Sequence, residues 1–350
     1  MTKEKQIPIT LVTGLSDRLK SAVIKDVKSQ NKSKVILYRD TSVSYRDIAE
    51  EWFIQENRLT EVVHDIEAPT KNNLLSIINE QNNKEIDQWI IDIEKFSNIH
   101  LIMDEDDLPI QKHIHIVDAA HFWFLYSSND YIETQSFNSE GTVESSLGEL
   151  LISPLEMANV ILLGNVGKIN HGRLAELKWF INKLNPLAEI FTMNDFKGAG
   201  SLFKMTDNIK QHTLEELYTY QLQQFEQQRP LTLVGEYGID TYIYQSHIPI
   251  SLERLETFFT KLPEGILRTK AICYHPLENK IHYISQIGPS IEVLTEEQTY
   301  FKQPTNKFLS EFLFIGNGLE PPTIKKRLDK CLLIDESPPA KELLNKRSLS

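Results

Sequence analysis

The residues best suited to chemistry lie in a loop near the start of the sequence. Gly14-Leu15-Ser16-Asp17-Arg18-Leu19-Lys20-Ser21 follows an apolar run and matches the phosphate-binding loop pattern except at Leu19. In such a loop the backbone N–H groups curl around phosphates, Lys20 reaches the outer phosphates and the Ser21 hydroxyl holds Mg²⁺. The segment from Gly14 to Ser21 therefore predicts a site for GTP or ATP with Mg²⁺. A solvated lysine in a strand-to-helix turn is the competing interpretation.

Leu19 stands where the pattern has its second glycine. Glycine allows close approach and left-handed backbone angles, so leucine is expected to cost about 1–2 kcal/mol if such an angle is needed. We also expect its bulky side chain to lie near the ligand. Both effects predict weakened phosphate binding.

The segments around this loop alternate in the rhythm of a parallel sheet. Strand, helix and strand are predicted between residues 7 and 40. Further strands are predicted at 99–103, 113–117, 160–163 and 188–192, and helices at 71–79 and 173–184. The predicted fold class is α/β, a P-loop NTPase-type, doubly wound, mainly parallel sheet followed by a smaller α+β domain.

A Gln-rich stretch separates the two predicted domains. After it the pattern changes to longer alternating strands with fewer helices. Strands are predicted at 237–245, 268–275, 280–287 and 311–315, and helices at 251–261 and 323–333. The predicted organisation is a nucleotide-binding-type domain at 1–212, a helical linker at 213–230, an α+β domain at 231–335 and a flexible tail at 336–350.

Charge and cysteine content argue against several classes of function. The 350 residues include 37 Lys+Arg and 49 Asp+Glu, a net charge of −12, and an acidic surface repels nucleic acid and anionic membranes. Cys273 and Cys331 are too few for a disulfide framework and lack the spacing of a thiolate metal site. No apolar run has the length of a spanning helix. We therefore expect a cytoplasmic protein that binds neither nucleic acid nor membranes.

Four further segments carry a family resemblance through their order and spacing. They are Val117-Asp118-Ala119-Ala120-His121-Phe122, Leu184-Asn185-Pro186, Leu262 to Lys270 and Glu311 to Gly316. Together with the loop they make the chain resemble the CobW-like family of P-loop GTPases, including its C-terminal domain. Better-known members of that family deliver or manage zinc or cobalt. The resemblance implies a nucleotide with Mg²⁺, Zn²⁺ or Co²⁺, and a client metalloprotein.

The resemblance also implies nucleotide-binding residues beyond the loop. The family's guanine-reading Asn-Lys-x-Asp tetrad falls on Gly164-Asn165-Val166-Gly167, which keeps Asn165 as a candidate but lacks the aspartate. Losing its two charge-assisted hydrogen bonds is expected to cost roughly 3–6 kcal/mol of base discrimination. Asp104, after the predicted strand at 99–103, is the candidate carboxylate on the Mg²⁺ side, with a solvated acidic loop as the alternative.

The family's cysteine-rich metal motif aligns with His64-Asp65-Ile66-Glu67-Ala68, which contains no thiolate. One imidazole and two carboxylates, from His64, Asp65 and Glu67, predict a weak site for a divalent metal, with a charged loop as the alternative. His113 and His115 lie two residues apart on a predicted strand. They form a second possible ligand pair, with hydrogen-bonded core histidines as the commoner interpretation.

These observations are consistent with three functions. The missing residues of the nucleotide and metal motifs favour a divergent CobW-like protein of zinc or cobalt homeostasis, with weak or absent GTP binding and hydrolysis. Retention of Lys20 and Ser21 supports an active NTP hydrolase that delivers a divalent metal to a client protein. A non-catalytic interaction module is the third.

Overall fold

A computed structural model describes residues 7–28, 32–39, 64–68, 71–80, 86–95, 99, 102, 108–135, 142–195, 216, 220, 236–275, 280–297 and 309–333. The chain divides into two units, 1–228 and 229–350. Of the predicted linker, Glu216 and Tyr220 are described, and both are helical. The predicted tail lies outside the described residues.

The first unit is built on a parallel sheet. Strands β1 to β9 are Ile9–Thr13, Ser33–Tyr38, Ile66–Ala68, Gln88–Ile93, Ile110–Asp118, Tyr131–Gln135, Thr142–Ser146, Val160–Gly164 and Glu189–Thr192. Seven of them form one sheet in the order β3-β2-β4-β1-β5-β8-β9, while β6 and β7 pair as a separate antiparallel ribbon. Because β1 lies between β4 and β5, the carboxyl ends of these three strands meet at one edge of the sheet, where open α/β sheets bind ligands.

Five α-helices of this unit are described from end to end: α1 (Asp17–Lys28), α2 (Lys71–Glu80), α3 (Phe122–Tyr126), α4 (Leu147–Met157) and α5 (His171–Leu184). Along α1, Leu19, Val23 and Val27 recur every fourth residue and therefore share one face of the helix. They lie in one buried cluster with Ile114 and Ile116 of β5. This packing fixes the start of α1 over the end of β1.

Asn185, at the end of α5, joins two helix ends through its buried side chain. Its amide donates hydrogen bonds to the carbonyls of Leu155 (2.9 Å) and Ala158 (2.8 Å) near the end of α4. Its side-chain oxygen accepts from the backbone N–H groups of Leu187 (3.2 Å) and Ala188 (3.1 Å). One fully buried amide thus satisfies backbone groups that the helix ends leave unpaired. The segment Leu184-Asn185-Pro186 therefore has a structural role.

In its described residues the second unit is an antiparallel sheet covered by two helices. Its strands are β10 (Ile239–Ser246), β11 (Ile266–His275), β12 (Lys280–Ile287), β13 (Ser290–Glu297) and β14 (Ser310–Asn317), and its helices are α6 (Leu252–Thr260) and α7 (Pro321–Asp329). The sheet order is β10-β14-β11-β12-β13. Phe312 and Phe314 of β14 form a buried cluster with Phe258 of α6 and Leu328 of α7. Both helices therefore cover one face of the sheet.

The predicted fold class is confirmed, with one strand misplaced. The prediction at 99–103 is wrong where the structure describes it, because Ile99 lies in a turn and Ile102 is helical. The strand in this part of the chain is β4, Gln88–Ile93. Short apolar runs do not by themselves distinguish strands from helical segments, and two such runs lie close together here.

Among the described residues, no helix is both long and apolar enough to cross a membrane.

Candidate functional site

The loop begins at Gly14, where the structure has room for glycine alone. Its φ is +146°, and an added Cβ would lie 2.5 Å from the carbonyl oxygen of Ile116 in β5. Both the backbone angle and the close contact exclude a side chain. The first glycine of the phosphate-binding pattern is therefore required for the turn out of β1.

The rest of the loop is wound into the first turn of α1. The Ser16 hydroxyl accepts a hydrogen bond from the backbone N–H of Leu19 (3.3 Å), and the Ser16 carbonyl accepts one from that of Lys20 (3.0 Å). Ser16 thus acts as the N-cap of the helix. Two backbone donors that a phosphate would use in an open loop are already bonded within the chain.

Leu19 does not have the effect predicted from the sequence. It lies inside α1, so no left-handed angle is needed, and its side chain is buried in the cluster shared with β5. A Cβ on Gly164, at the end of β8, would lie 2.6 Å from the Leu19 Cδ1 atom. The side chain therefore fills the space between α1 and β8. The predictions of backbone strain and of a bulky side chain near the ligand are therefore both wrong, because the helix directs the Leu19 side chain towards the core.

Lys20 is the central residue of the site and is almost entirely buried. Its Nζ lies 2.7 Å from the Ile93 carbonyl oxygen, 2.9 Å from Asp92 Oδ1 and 3.4 Å from Asp17 Oδ1. An ammonium group has three hydrogens to donate, and here three oxygens surround it. Burial lowers the pKa of Lys20, but attraction to Asp92 and Asp17 outweighs it, so the pKa lies above its usual value. The ammonium is therefore charged and fully engaged.

Asp17 lies between two lysines. Its Oδ1 faces Lys20, and its Oδ2 lies 3.0 Å from the Nζ of Lys95. Burial raises the pKa of Asp17, but attraction to Lys20 and Lys95 outweighs it, and the net direction is downward. The carboxylate is therefore ionised at neutral pH and contacts both lysine ammonium groups.

Asp92 is a residue of this site that the sequence reasoning missed. It lies at the end of β4, in register with Val12 of β1, beside the start of the loop. P-loop NTPases hold a Mg²⁺-side aspartate of this kind. The predicted candidate for that role, Asp104, lies outside the described residues. The signal that could have found Asp92 is the apolar run Trp89-Ile90-Ile91 directly before it.

Asn165 lies at the end of β8, where the resemblance implied base recognition. Its backbone is left-handed (φ 54°), and its side-chain amide donates to Asp118 Oδ2 at 2.8 Å. The same oxygen lies 2.9 Å from Nδ1 of His121. Asn165 is thus held against the end of β5, and the residue before it, Gly164, contacts Leu19. The nucleotide-binding role of Asn165 stays a prediction.

The structure does not bring the three predicted metal ligands together. Nε2 of His64 lies 3.5 Å from Asp92 Oδ2. Asp65 pairs with Lys28, and Glu67 lies 3.4 Å from Arg39. Within the described part of the chain, no group of three His, Cys, Asp or Glu residues is arranged to hold a metal ion. Metal binding by His64, Asp65 and Glu67 remains a prediction from the sequence.

His113 and His115 are core residues with ordinary hydrogen bonds. Both are fully buried, and both reach the hydroxyl of Thr13, through His113 Nε2 (2.7 Å) and His115 Nδ1 (2.9 Å). The hydroxyl can donate to one imidazole and accept from the other. Burial, with further contributions from His113 and Lys20, lowers the pKa of His115 to about 3. His115 is therefore neutral at physiological pH.

Comparison with known proteins identifies the second unit. Residues 239–332 match the family model of the cobalamin synthesis protein CobW C-terminal domain. The second unit carries a CobW C-terminal domain. The matched range includes 262–270 and 311–316, two of the segments that carry the resemblance, and extends from the start of β10 to just beyond α7.

Beyond the CobW C-terminal domain the similarities are distant. The chain is 22% identical over 263 residues to the zinc-regulated GTPase metalloprotein activator 1 of Dictyostelium discoideum, an alignment that spans 66% of this chain and 54% of that protein. The chain therefore spans about half the length of this relative.

Two solved structures share weak similarity. The Zn(II)-bound YjiA GTPase from E. coli aligns with a TM-score of 0.40 and 13% identity, covering 94% of this chain and 99% of that one. The hydrogenase maturation factor HypB from Archaeoglobus fulgidus aligns with a TM-score of 0.33 and 10% identity, covering 58% of this chain and 90% of that one. TM-scores this low carry no functional argument.

A nucleotide phosphate does not fit the loop as it stands. The N–H groups of Leu19 and Lys20 are bonded to Ser16, and the Lys20 ammonium has three oxygens around it. In addition, the ionised Asp17 would repel an incoming anion. A phosphate can approach Lys20 only if one of these contacts opens.

Proposed function

We propose that this chain is a divergent CobW-like P-loop protein of metal homeostasis whose nucleotide site binds GTP weakly or not at all. In this proposal the protein acts on zinc or cobalt through contacts with a client metalloprotein. The CobW C-terminal domain and the distant relative, whose name describes a zinc-regulated metalloprotein activator, support the metal-related part.

The observation that carries the nucleotide part is the internal engagement of Lys20. Freeing its ammonium from all three acceptors would leave the buried Asp92 carboxylate without its lysine, with the His64 imidazole 3.5 Å from its other oxygen. Breaking a buried pair in this way costs about 3–5 kcal/mol, or roughly two to four powers of ten in Kd. The affinity of a nucleotide that relied on Lys20 would be lowered by this amount.

One observation favours an active NTP hydrolase instead. Asp92 lies where a Mg²⁺-side carboxylate is needed, and Gly14, Lys20 and Ser21 keep the types that the motif requires. In this alternative, nucleotide with Mg²⁺ takes over the contacts that now join Lys20 to Asp92 and Asp17.

Titration of the purified full chain with GTP and with ATP, each with and without Mg²⁺, separates the two functions. Binding and phosphate release are measured for the wild type, for Lys20→Ala and for Lys25→Ala, an exposed control on the same helix. We expect no Lys20-dependent saturation below millimolar nucleotide. Micromolar binding that Lys20→Ala abolishes and Lys25→Ala preserves, accompanied by phosphate release, would overturn the proposal and establish the hydrolase.

The metal part is tested separately. Zn²⁺ and Co²⁺ are titrated into the wild type and into the double variant His64→Ala/Glu67→Ala. We expect weak binding by the wild type and a lower affinity for the variant. Equal affinity would remove these residues from the proposed metal site, while absence of any binding by the wild type would argue against a role in carrying metal.

A further inference from the structure

Strand β13 forms one edge of the sheet in the second unit. It is the last strand in the order β10-β14-β11-β12-β13, and among the described residues no strand pairs with its outer side. It runs beside β12 at all eight positions without a bulge, and it contains neither lysine nor proline. Bulges, lysines and prolines are common features that keep an edge strand from pairing with another chain. The outer side of β13 lacks these features and can accept a further strand.

Three apolar side chains of β13 are exposed. Ile291, Val293 and Leu294 are 41%, 49% and 55% exposed. Val293 lies opposite Ile284 of β12, which is 3% exposed and belongs to the buried cluster formed with α6 and α7. Residues directly opposite each other share a face of the sheet. The apolar face therefore continues to the edge of the sheet, beyond the residues that the two helices bury.

The turn between β12 and β13 determines which backbone groups point outwards. Ile287 and Ser290 pair across a two-residue turn. In such a hairpin this closing pair is hydrogen bonded, and bonded and non-bonded pairs then alternate along the strands. The N–H and C=O groups of Ile291, Val293 and Thr295 consequently face away from β12. These backbone groups lie beside the exposed apolar side chains.

We propose that this edge pairs with the β13 edge of a second copy of the chain, antiparallel and centred on Val293, in a symmetric dimer. In this register Val293 lies opposite Val293 of the second copy, and Ile291 of each copy lies opposite Thr295 of the other. Each of these three pairs forms two backbone hydrogen bonds. The outward N–H and C=O groups of all three residues are then satisfied in both copies. Dimers with two-fold symmetry are the commonest protein oligomers.

The glutamates of β13 select this register. Its only charged residues are three glutamates. When the pair is centred on Val293, Glu292 lies opposite Leu294 and no glutamate lies opposite another. A pair centred on Glu292 would place that residue opposite its own copy, and a pair centred on Leu294 would place Glu292 opposite Glu296. Because like charges directly opposite each other destabilise a sheet, β13 complements itself best in the register centred on Val293.

Sedimentation velocity of the full chain, from micromolar to near-millimolar concentration, measures the association. The interface is small, so we expect a weak, reversible dimer. Val293→Pro removes an outward N–H group at the centre of the pair and leaves the bonds to β12, and proline is tolerated at such edge positions. Val293→Lys places two like charges opposite each other. We expect both variants to be monomeric, and we expect Leu252→Ala, an exposed apolar control at the start of α6, to associate as the wild type does.

Cysteine cross-linking tests the register. Across a hydrogen-bonded pair the Cα atoms are about 5.5 Å apart, which suits a disulfide, whereas diagonal positions are about 7–8 Å apart, which exceeds its reach. Under mild oxidation Val293→Cys should therefore form a covalent dimer. Leu294→Cys, at a more exposed but diagonal position, should not. The native Cys273 and Cys331 are buried and should not take part.

A wild type that stays monomeric at every concentration would overturn the inference, and an extended segment of another protein would then be the remaining occupant of the edge. A dimer that Val293→Pro and Val293→Lys leave intact would also overturn it, because the contact would lie elsewhere. Loss of association in Leu252→Ala would count against it in the same way. If Val293→Pro fails to fold, Val293→Lys decides. Equal cross-linking of Val293→Cys and Leu294→Cys would overturn the register.

Discussion

Acid should destabilise the first unit through His115, which is buried and neutral in the folded protein. Its pKa falls from the ordinary value of 6.5 to about 3, chiefly because burial disfavours the charged imidazole. The unfolded chain therefore binds a proton below pH 6.5 that the folded protein accepts only near pH 3. Stability attributable to this residue is present above pH 6.5 and is lost as the pH falls towards 3.

The magnitude follows from the two pKa values. Each pH unit between them changes the free energy of unfolding by about 1.4 kcal/mol per proton, so lowering the pH from 7 to 5 should cost about 2 kcal/mol. Replacing His115 with Phe removes the titrating group and also its hydrogen bond to Thr13. The variant should be less stable at pH 7, but its stability should fall less between pH 7 and pH 5 than that of the wild type.

Tryptophan fluorescence during urea denaturation measures this unit selectively. All four tryptophans (Trp52, Trp89, Trp123 and Trp179) belong to the first unit. Free energies of unfolding at pH 7, 6 and 5 are compared for the wild type, His115→Phe and His171→Gln, the last being an exposed histidine at the start of α5. An equal pH dependence of stability in the wild type and in His115→Phe would refute the reasoning. A pH dependence in His171→Gln as weak as that of His115→Phe would also refute it.

Two substitutions test the packing around the site by the same denaturation measurement. Leu19→Gly restores the glycine of the motif but removes a buried leucine from α1. It should therefore destabilise the first unit by more than about 3 kcal/mol without improving GTP binding. A gain in GTP affinity would contradict the internal engagement of Lys20. Asn185→Leu removes the side-chain hydrogen bonds to buried backbone groups near the ends of α4 and α5 and should also cost about 3 kcal/mol or more. A cost below about 1 kcal/mol for Asn185→Leu would show that these hydrogen bonds contribute little.

The sequence was sufficient to predict the fold class because its periodicities are local. The apolar runs of β1, β5 and β8 and the helical pattern of α5 can be identified without knowledge of the fold. The segments 262–270 and 311–316 led to the C-terminal domain that the family model matches. The phosphate-binding pattern likewise located the loop between β1 and α1. The strands β3, β4, β6, β7 and β13 were missed. β13 lies at the edge of its sheet, and only three of its eight residues are apolar, so it carries a weak apolar signal.

The sequence alone thus determined which residues the loop contains, and the tertiary structure decided what they contact. Lys20 meets Asp92 across 72 residues of sequence because β4 lies beside β1 in the sheet, an order that no local pattern specifies. Lys95 is brought to Asp17 in the same way, just after β4. Leu19 faces the core because α1 begins at Asp17, before the motif lysine. Long-range pairing and burial therefore made the motif lysine an internal ion-pair partner.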